Sequence, residues 1–332
     1  MASQKRSISA ASDASGLIGP LDCTSALLTM NGFSLLFPDF AMIVAGAIIM
    51  HSGWIGRSFW EGAERLVYFV LFPALLFAAV TRTSLASGQT TLMVQAATVG
   101  VLVAAALGVL TRWIPGVTRM DWASGIQCAF RFNTYVAFAV ASRAWGGEGL
   151  AMMAVIVGFA VPLANVMAVS FLANTLHPAR LIAELLRNPL LIATLAGVIC
   201  NFLGLIPPEL IYGVLDRASS AAISLGLMCV GAGLSFAGMK STAARWQGIS
   251  ITAIKLLITP PVVWAACKWM GIEGLQRDIA ILFATMPTAS SAYILAVRMG
   301  GNGPLTAGLV SISTLGSMLT ITLWVTVLQA LG

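Results

Sequence analysis

Residues 37–55 read FPDFAMIVAGAIIMHSGWI, and residues 188–206 read NPLLIATLAGVICNFLGLI. At a constant offset of 151, Pro38 meets Pro189, Gly46 meets Gly197 and Gly53 meets Gly204. A second pair, FNTYVAFAVASRAWGGEG (132–149) and MPTASSAYILAVRMGGNG (286–303), agrees at an offset of 154. There Thr134 meets Thr288, Gly146-Gly147 meets Gly300-Gly301 and Gly149 meets Gly303. Between these regions Glu64-Arg65 meets Asp216-Arg217 after one inserted residue. Gly and Pro are chosen for backbone reasons, so their agreement in two regions marks an internal repeat rather than chance among apolar residues.

The repeat lies in a chain of 332 residues of which 58% are hydrophobic and 9% charged, with a mean hydropathy of +0.92. A soluble domain carries about 25% charged residues, so an ordinary soluble enzyme and a disordered chain are both excluded. The apolar runs are continuous over about 20 residues, the length of a bilayer-crossing helix, and lack the roughly 10-residue alternation of a membrane barrel. Spans are expected near 33–52, 66–86, 91–113, 121–143, 149–172, 189–206, 210–238, 247–270, 276–298 and 304–331. Ten spans fill the chain and leave no room for a second soluble domain. The fold class is therefore an all-α integral membrane protein of ten transmembrane helices. Five spans per repeat is an odd number, so the halves face opposite ways, the inverted-repeat plan of secondary transporters.

The domain boundaries follow: a polar, Ser/Ala-rich tail over 1–29, expected to be disordered; a first five-helix repeat over 30–172; a cytoplasmic linker over 173–187; and a second repeat over 188–332. Cys23, Cys128, Cys200, Cys229 and Cys267 show no C-x-x-C spacing and read as small apolar packing residues. His51 and His177 have no metal-ligand spacing, so neither metal nor other cofactor is expected. The formal charge of +6 is not gathered in a basic cluster, which argues against nucleic acid and for loop anchors beside lipid.

Arg57, Arg65, Arg112, Arg119, Arg180, Arg187, Lys240, Arg245 and Arg298 fall on one side of the ten-span plan, against Arg82, Arg143, Arg217, Lys268 and Arg277 on the other. The positive-inside rule puts both termini on the non-cytoplasmic side of the inner (cytoplasmic) membrane. GWIGRSFWEGAERL (53–66) reads as a short interfacial helix with Trp54, Phe59 and Trp60 at headgroup level and Arg57, Glu61 and Glu64 facing water.

Carriers of this plan bind at the midplane, where one helix of each repeat is broken. The fourth and ninth spans are the polar ones. CAFRFNTYVAFAVASRAWG holds Arg131, Asn133, Thr134 and Tyr135; ILFATMPTASSAYILAVRMG holds Thr285, Pro287, Thr288, Ser290 and Ser291. Pro287 removes a backbone donor and disfavours helix before it, and the Asn133 amide can satisfy freed backbone groups. Two breaks that cross would aim half-helix N-termini inward, where they favour an anion. These nine residues are the candidate substrate site. Lys255, inside ITAIKLLITPPVVWA, is the candidate charge-coupling residue, since an ionisable group within a membrane usually faces a cavity or partner. No Asp or Glu is expected at the middle of any span, and Asp39 is expected at an interface, so bound cations are disfavoured as cargo. A small organic anion is the expected substrate. A channel is the competing reading; an intramembrane enzyme would need a dyad, metal set or embedded carboxylates, none of which is visible.

FWEGAERLVYFVLFPALLFAAV (59–80), RNPLLIATLAGVICNFLGL (187–205) and MPTASSAYILAVRMGG (286–301) resemble the auxin efflux carrier family, over roughly residues 33–331. Its bacterial members include carriers of malonate, malate and other organic acids, and its plant members are the PIN-FORMED auxin exporters. The resemblance implies two inverted five-helix repeats, similar to the bile acid/sodium symporter fold, with helices 4 and 9 crossing at unwound segments and an elevator-type motion. Asn133 and Pro287 occupy the crossing places. The chain departs from the pattern at Ser291, where many relatives have Asn, and at Phe132, where they have Pro. A second copy of the chain is carried as a candidate partner, beside the substrate anion and the lipid bilayer.

Overall fold

The structure is a computed structural model and describes residues 32–82, 88–173, 189–205, 207–236, 238 and 241–331. The expected tail (1–29) and nearly all of the expected linker (173–187) lie outside the described residues, as do Arg180, Arg187, Lys240 and Cys23. Every regular element among the described residues is helical.

In chain order the helices are α1 (Gly32–His51), α2 (Arg57–Leu66), α3 (Phe72–Thr81), α4 (Gly88–Val109), α5 (Arg119–Phe130), α6 (Thr134–Ala173) and α7 (Pro189–Phe202). They continue with α8 (Glu209–Ala232), α9 (Thr242–Ala253), α10 (Thr259–Met270), α11 (Gly274–Ala284), α12 (Ser291–Arg298) and α13 (Gly303–Leu331). One-turn π segments, Val67–Leu71 and Ile254–Ile258, join α2 to α3 and α9 to α10 into unbroken runs.

Among the described residues seven helical runs are long and apolar enough to cross a bilayer. The difference from ten expected spans has physical causes. The run Arg119–Ala173 is one stretch by length, yet its helix stops at Phe130, restarts at Thr134 and turns at Gly146 through φ 63°, ψ −150°. Helix α7 has only 14 residues, and the ninth expected span divides into α11 and α12 of 11 and 8 residues. The segment expected as an interfacial helix (53–66) continues through the π turn into Phe72–Thr81 without a break. On it Trp60 is buried, whereas Trp54 and Phe59 are exposed, and Glu64 is half-buried rather than water-facing.

The helices pack in two groups. In one, α8 lies on α1 and α3 lies on both α7 and α8; in the other, α4, α5, α10, α11 and α13 share contacts, and α6 touches both groups. A Cβ built at Gly46 would collide with the Met228 carbonyl oxygen, and one at Gly231 with that of Ile43, so α1 and α8 meet backbone to backbone. Side chains finish the helix ends. Thr118 caps α5, its hydroxyl accepting from the Asp121 N–H at 3.1 Å. The Asn201 amide of α7 donates to the Val80 and Thr81 carbonyls at 3.1 and 3.2 Å, closing α3. Beyond it Arg82 forms a bidentate pair with Asp216 and covers the Tyr212 ring at 4.1 Å.

Candidate functional site

Helix α5 ends where Arg131 turns to extended backbone, φ −71° and ψ 147°, and α6 begins three residues later. Helix α11 ends at Ala284, and α12 begins at Ser291. The two interruptions are bonded to each other. The Asn133 N–H donates to the Pro287 carbonyl at 2.7 Å. The Thr288 hydroxyl donates to the Cys128 carbonyl at 2.7 Å, taking a free acceptor at the end of α5. Ser313 of α13 supports the second break, its hydroxyl accepting from the Thr288 N–H at 3.1 Å. The Arg131 guanidinium donates to the Ser291 hydroxyl at 3.0 Å, at the first residue of α12. Pro287, which offers a carbonyl but no N–H, and Asn133 thus meet as the sequence suggests.

Asn133, 1% exposed, caps α6: its Oδ1 accepts from the N–H groups of Tyr135 at 3.0 Å and Val136 at 3.3 Å. That leaves its Nδ2, a buried amide donor with no hydrogen-bond partner among the described residues. The Ser290 hydroxyl is likewise buried and unpartnered there, and α12 has no side-chain cap. Such groups ordinarily find partners. Two helix N-termini, the buried Arg131 and the Asn133 amide therefore offer donors and positive potential to an acceptor of negative charge.

The remaining candidates divide. Thr134 is half-buried at the first turn of α6. Thr285 spends its hydroxyl on the Leu282 carbonyl of its own helix, at 2.7 Å. The Tyr135 ring is directed toward other helices, stacked on Phe72 at 4.8 Å and lying against Gly226. Lys255, 2% exposed, sits in the π turn beside Gly100, Val101 and Ala104 of α4 and Phe283 and Ala284 of α11. Among the described residues no carboxylate pairs with it, and it takes no part in the hydrogen bonds that join the two breaks.

Asp39, expected at an interface, is 4% exposed and gripped by Arg143 of α6, with Nε and Nη2 donating at 2.8 and 2.7 Å. Glu64, expected to face water, is half-buried. Ser313 was also outside the expected site; its only sequence signal is the hydroxyl-rich run SISTLGSMLTIT (311–322).

The family profile described as "Membrane transport protein" matches residues 151–325. A relative from Methanothermobacter thermautotrophicus, described as an uncharacterized transporter, is 23% identical over 91% of this chain and its own whole length. An uncharacterized transporter of Methanocaldococcus jannaschii is 24% identical over 57% of this chain and 63% of its own. A protein of Rhizobium meliloti bearing the name "Putative malonate transporter" is 26% identical over 53% of this chain and 60% of its own.

Proposed function

Because the chain belongs to the membrane transport protein family, that of the auxin efflux carriers, we propose that it is a secondary-active carrier of a small organic anion, a mono- or dicarboxylate such as malonate or malate. The observation that carries this reading is the buried, partnerless Nδ2 of Asn133 beside two helix N-termini and Arg131. A carboxylate there accepts from the amide, supplies the missing cap of α12 and neutralises the guanidinium. The Rhizobium meliloti relative, named for malonate, supports the substrate class.

In this reading α5 and the part of α6 before Gly146 form one interrupted crossing, and α11 with α12 forms another. Together with α7 they complete ten crossings in two inverted repeats, which the Gly and Pro agreement between the halves supports. The interrupted crossings move as a unit past the α1–α8 scaffold, elevator fashion. The protein sits in the cytoplasmic membrane with both termini outside and works as a carrier, not an enzyme; a second copy of the chain is its candidate partner. An inside-negative potential favours anion export by about 2.3 kcal/mol per charge per 100 mV.

The test is uptake of radiolabelled malonate and related anions into proteoliposomes, with and without an imposed potential, wild type beside Asn133→Ala. Saturable uptake that falls at least tenfold in the variant is expected. Folded wild type that moves no anion would overturn the reading, and unitary currents would replace the carrier with a pore.

A further inference from the structure

The π turn Val67–Leu71 changes which residues share a face of the run Arg57–Thr81. A π turn absorbs one residue more than an α turn. In a regular helix, residues eight apart point about 80° from each other; with one residue absorbed, the angle shrinks to about 20°. Glu64 and Phe72 are such a pair. Phe72 stacks on Tyr135, and the Tyr135 N–H donates to the side chain of Asn133. The turn therefore brings Glu64 onto the face of the run that carries Phe72 and meets Tyr135, two residues from Asn133.

Its surroundings agree. Trp60 and Ala63, on the same side of α2, pack on Cys229 and Ala232 of α8, and the Tyr135 ring lies on Gly226, one turn earlier on α8. Glu64 is half-buried next to this α2–α8 contact, within Coulombic range of Tyr135 and Cys229. The titratable and charged groups facing it are Glu61 and Tyr68 of its own run, Tyr135 of α6 and Cys229 of α8. Helix α7, packed on the same run, carries no charged side chain. Of α1, Asp39 is held by Arg143 and His51 is exposed.

Every other described acidic residue is accounted for. Asp39, Asp216 and Asp278 have arginine partners, and Asp121 accepts from Thr118 and Asn302. Glu61, Glu148, Glu209 and Glu273 are exposed. Among the described acids, only Glu64 is partly withdrawn from water without a cation or hydrogen-bond donor paired to its carboxylate.

We propose that Glu64 is a proton-binding site of this carrier, taking a proton from water as the substrate anion loads beside Asn133 and returning it when the anion leaves. The proton site stands on the geometry of Glu64; its coupling to an anion rests on the proposed function. An ionised Glu64 would place a second negative charge on the side of Tyr135, whose N–H is held by the same Asn133 side chain that is proposed to meet the anion. Like charges there disfavour each other, so anion and proton each raise the other's affinity by the same factor. The half-buried position leaves the carboxylate within reach of water.

Two measurements on the full chain test this separately. The first is the acid-minus-neutral infrared difference spectrum of purified protein, in which the protonated carboxylic acid band should shrink in Glu64→Gln. An unchanged band overturns the proton site whether or not malonate is carried. The second is the initial rate of malonate uptake into proteoliposomes across a series of external pH values. Wild-type uptake should rise as pH falls, by up to about tenfold per unit for one coupled proton. Glu64→Gln should be flat in pH, and Glu64→Asp should restore the slope and show that the position tolerates change. A wild-type slope surviving in folded Glu64→Gln overturns the coupling. Absence of malonate uptake by wild type sinks the substrate reading instead, and the infrared result still decides on Glu64.

Discussion

Asn133 gives three of its polar groups three different jobs. Its N–H holds Pro287, its Oδ1 caps α6 and its Nδ2 stays available. Substitutions should separate the last two. Asn133→Asp retains a good cap but replaces the donor with a negative charge, so stability should stay near wild type while malonate no longer raises the melting temperature. Asn133→Ala should lose ligand stabilisation and about 1 kcal/mol of cap as well. Thermal unfolding with and without malonate checks both. Arg143→Ala strands the buried Asp39 carboxylate. Because the arginine side chain is 37% exposed, water can partly replace it, and a loss of about 1–3 kcal/mol is expected; Asp39→Asn in the same background should recover much of it. This pair was not legible in the sequence. Asp39 and Arg143 are 104 residues apart, and nothing in either local stretch names the other, whereas Asn133 and Pro287 stand out because each breaks a helix by its own chemistry.

At the scale of elements, the long apolar runs and both helix breaks follow from local composition, since a crossing helix needs about 20 apolar residues and Pro287 stops one. The π turns do not. Val67–Leu71 is VYFVL and Ile254–Ile258 is IKLLI; neither string carries a Gly, Pro or other local signal of the added residue, and Glu64 reads as surface until the turn is known. The packing of α1 on α8 was half legible: Gly46 is part of the repeat, but its meeting with Met228, and that of Gly231 with Ile43, requires the fold. Both contacts are to backbone carbonyls, which cannot swing aside as a side chain would. Gly231→Ala should therefore separate the two helices and cost about 1–3 kcal/mol, seen as a lowered melting temperature of the purified protein. Gly213→Ala, at a position of the same helix with nothing within 4 Å, should be neutral or slightly stabilising.

For the molecule as a whole, the arginine and lysine distribution makes a topological prediction. In a cysteine-free background, cysteines at exposed Arg119 and Thr242 should react with an impermeant thiol reagent from the cytoplasmic side, and cysteines at exposed Leu203 and Glu273 from the opposite side. Labelling of all four from one side would break the ten-crossing reading. The joined helix breaks also carry a consequence for synthesis. Asn133 leaves the ribosome 154 residues ahead of Pro287, which at about 5–20 residues per second is roughly 8–30 s. Throughout that interval the N–H of Asn133 and the carbonyl of Cys128 have entered the membrane while the groups that answer them do not yet exist. The nascent first half is thus a client for whatever shelters polar segments during insertion, and a ribosome stalled between the two breaks leaves behind a fragment that cannot complete its own hydrogen bonding.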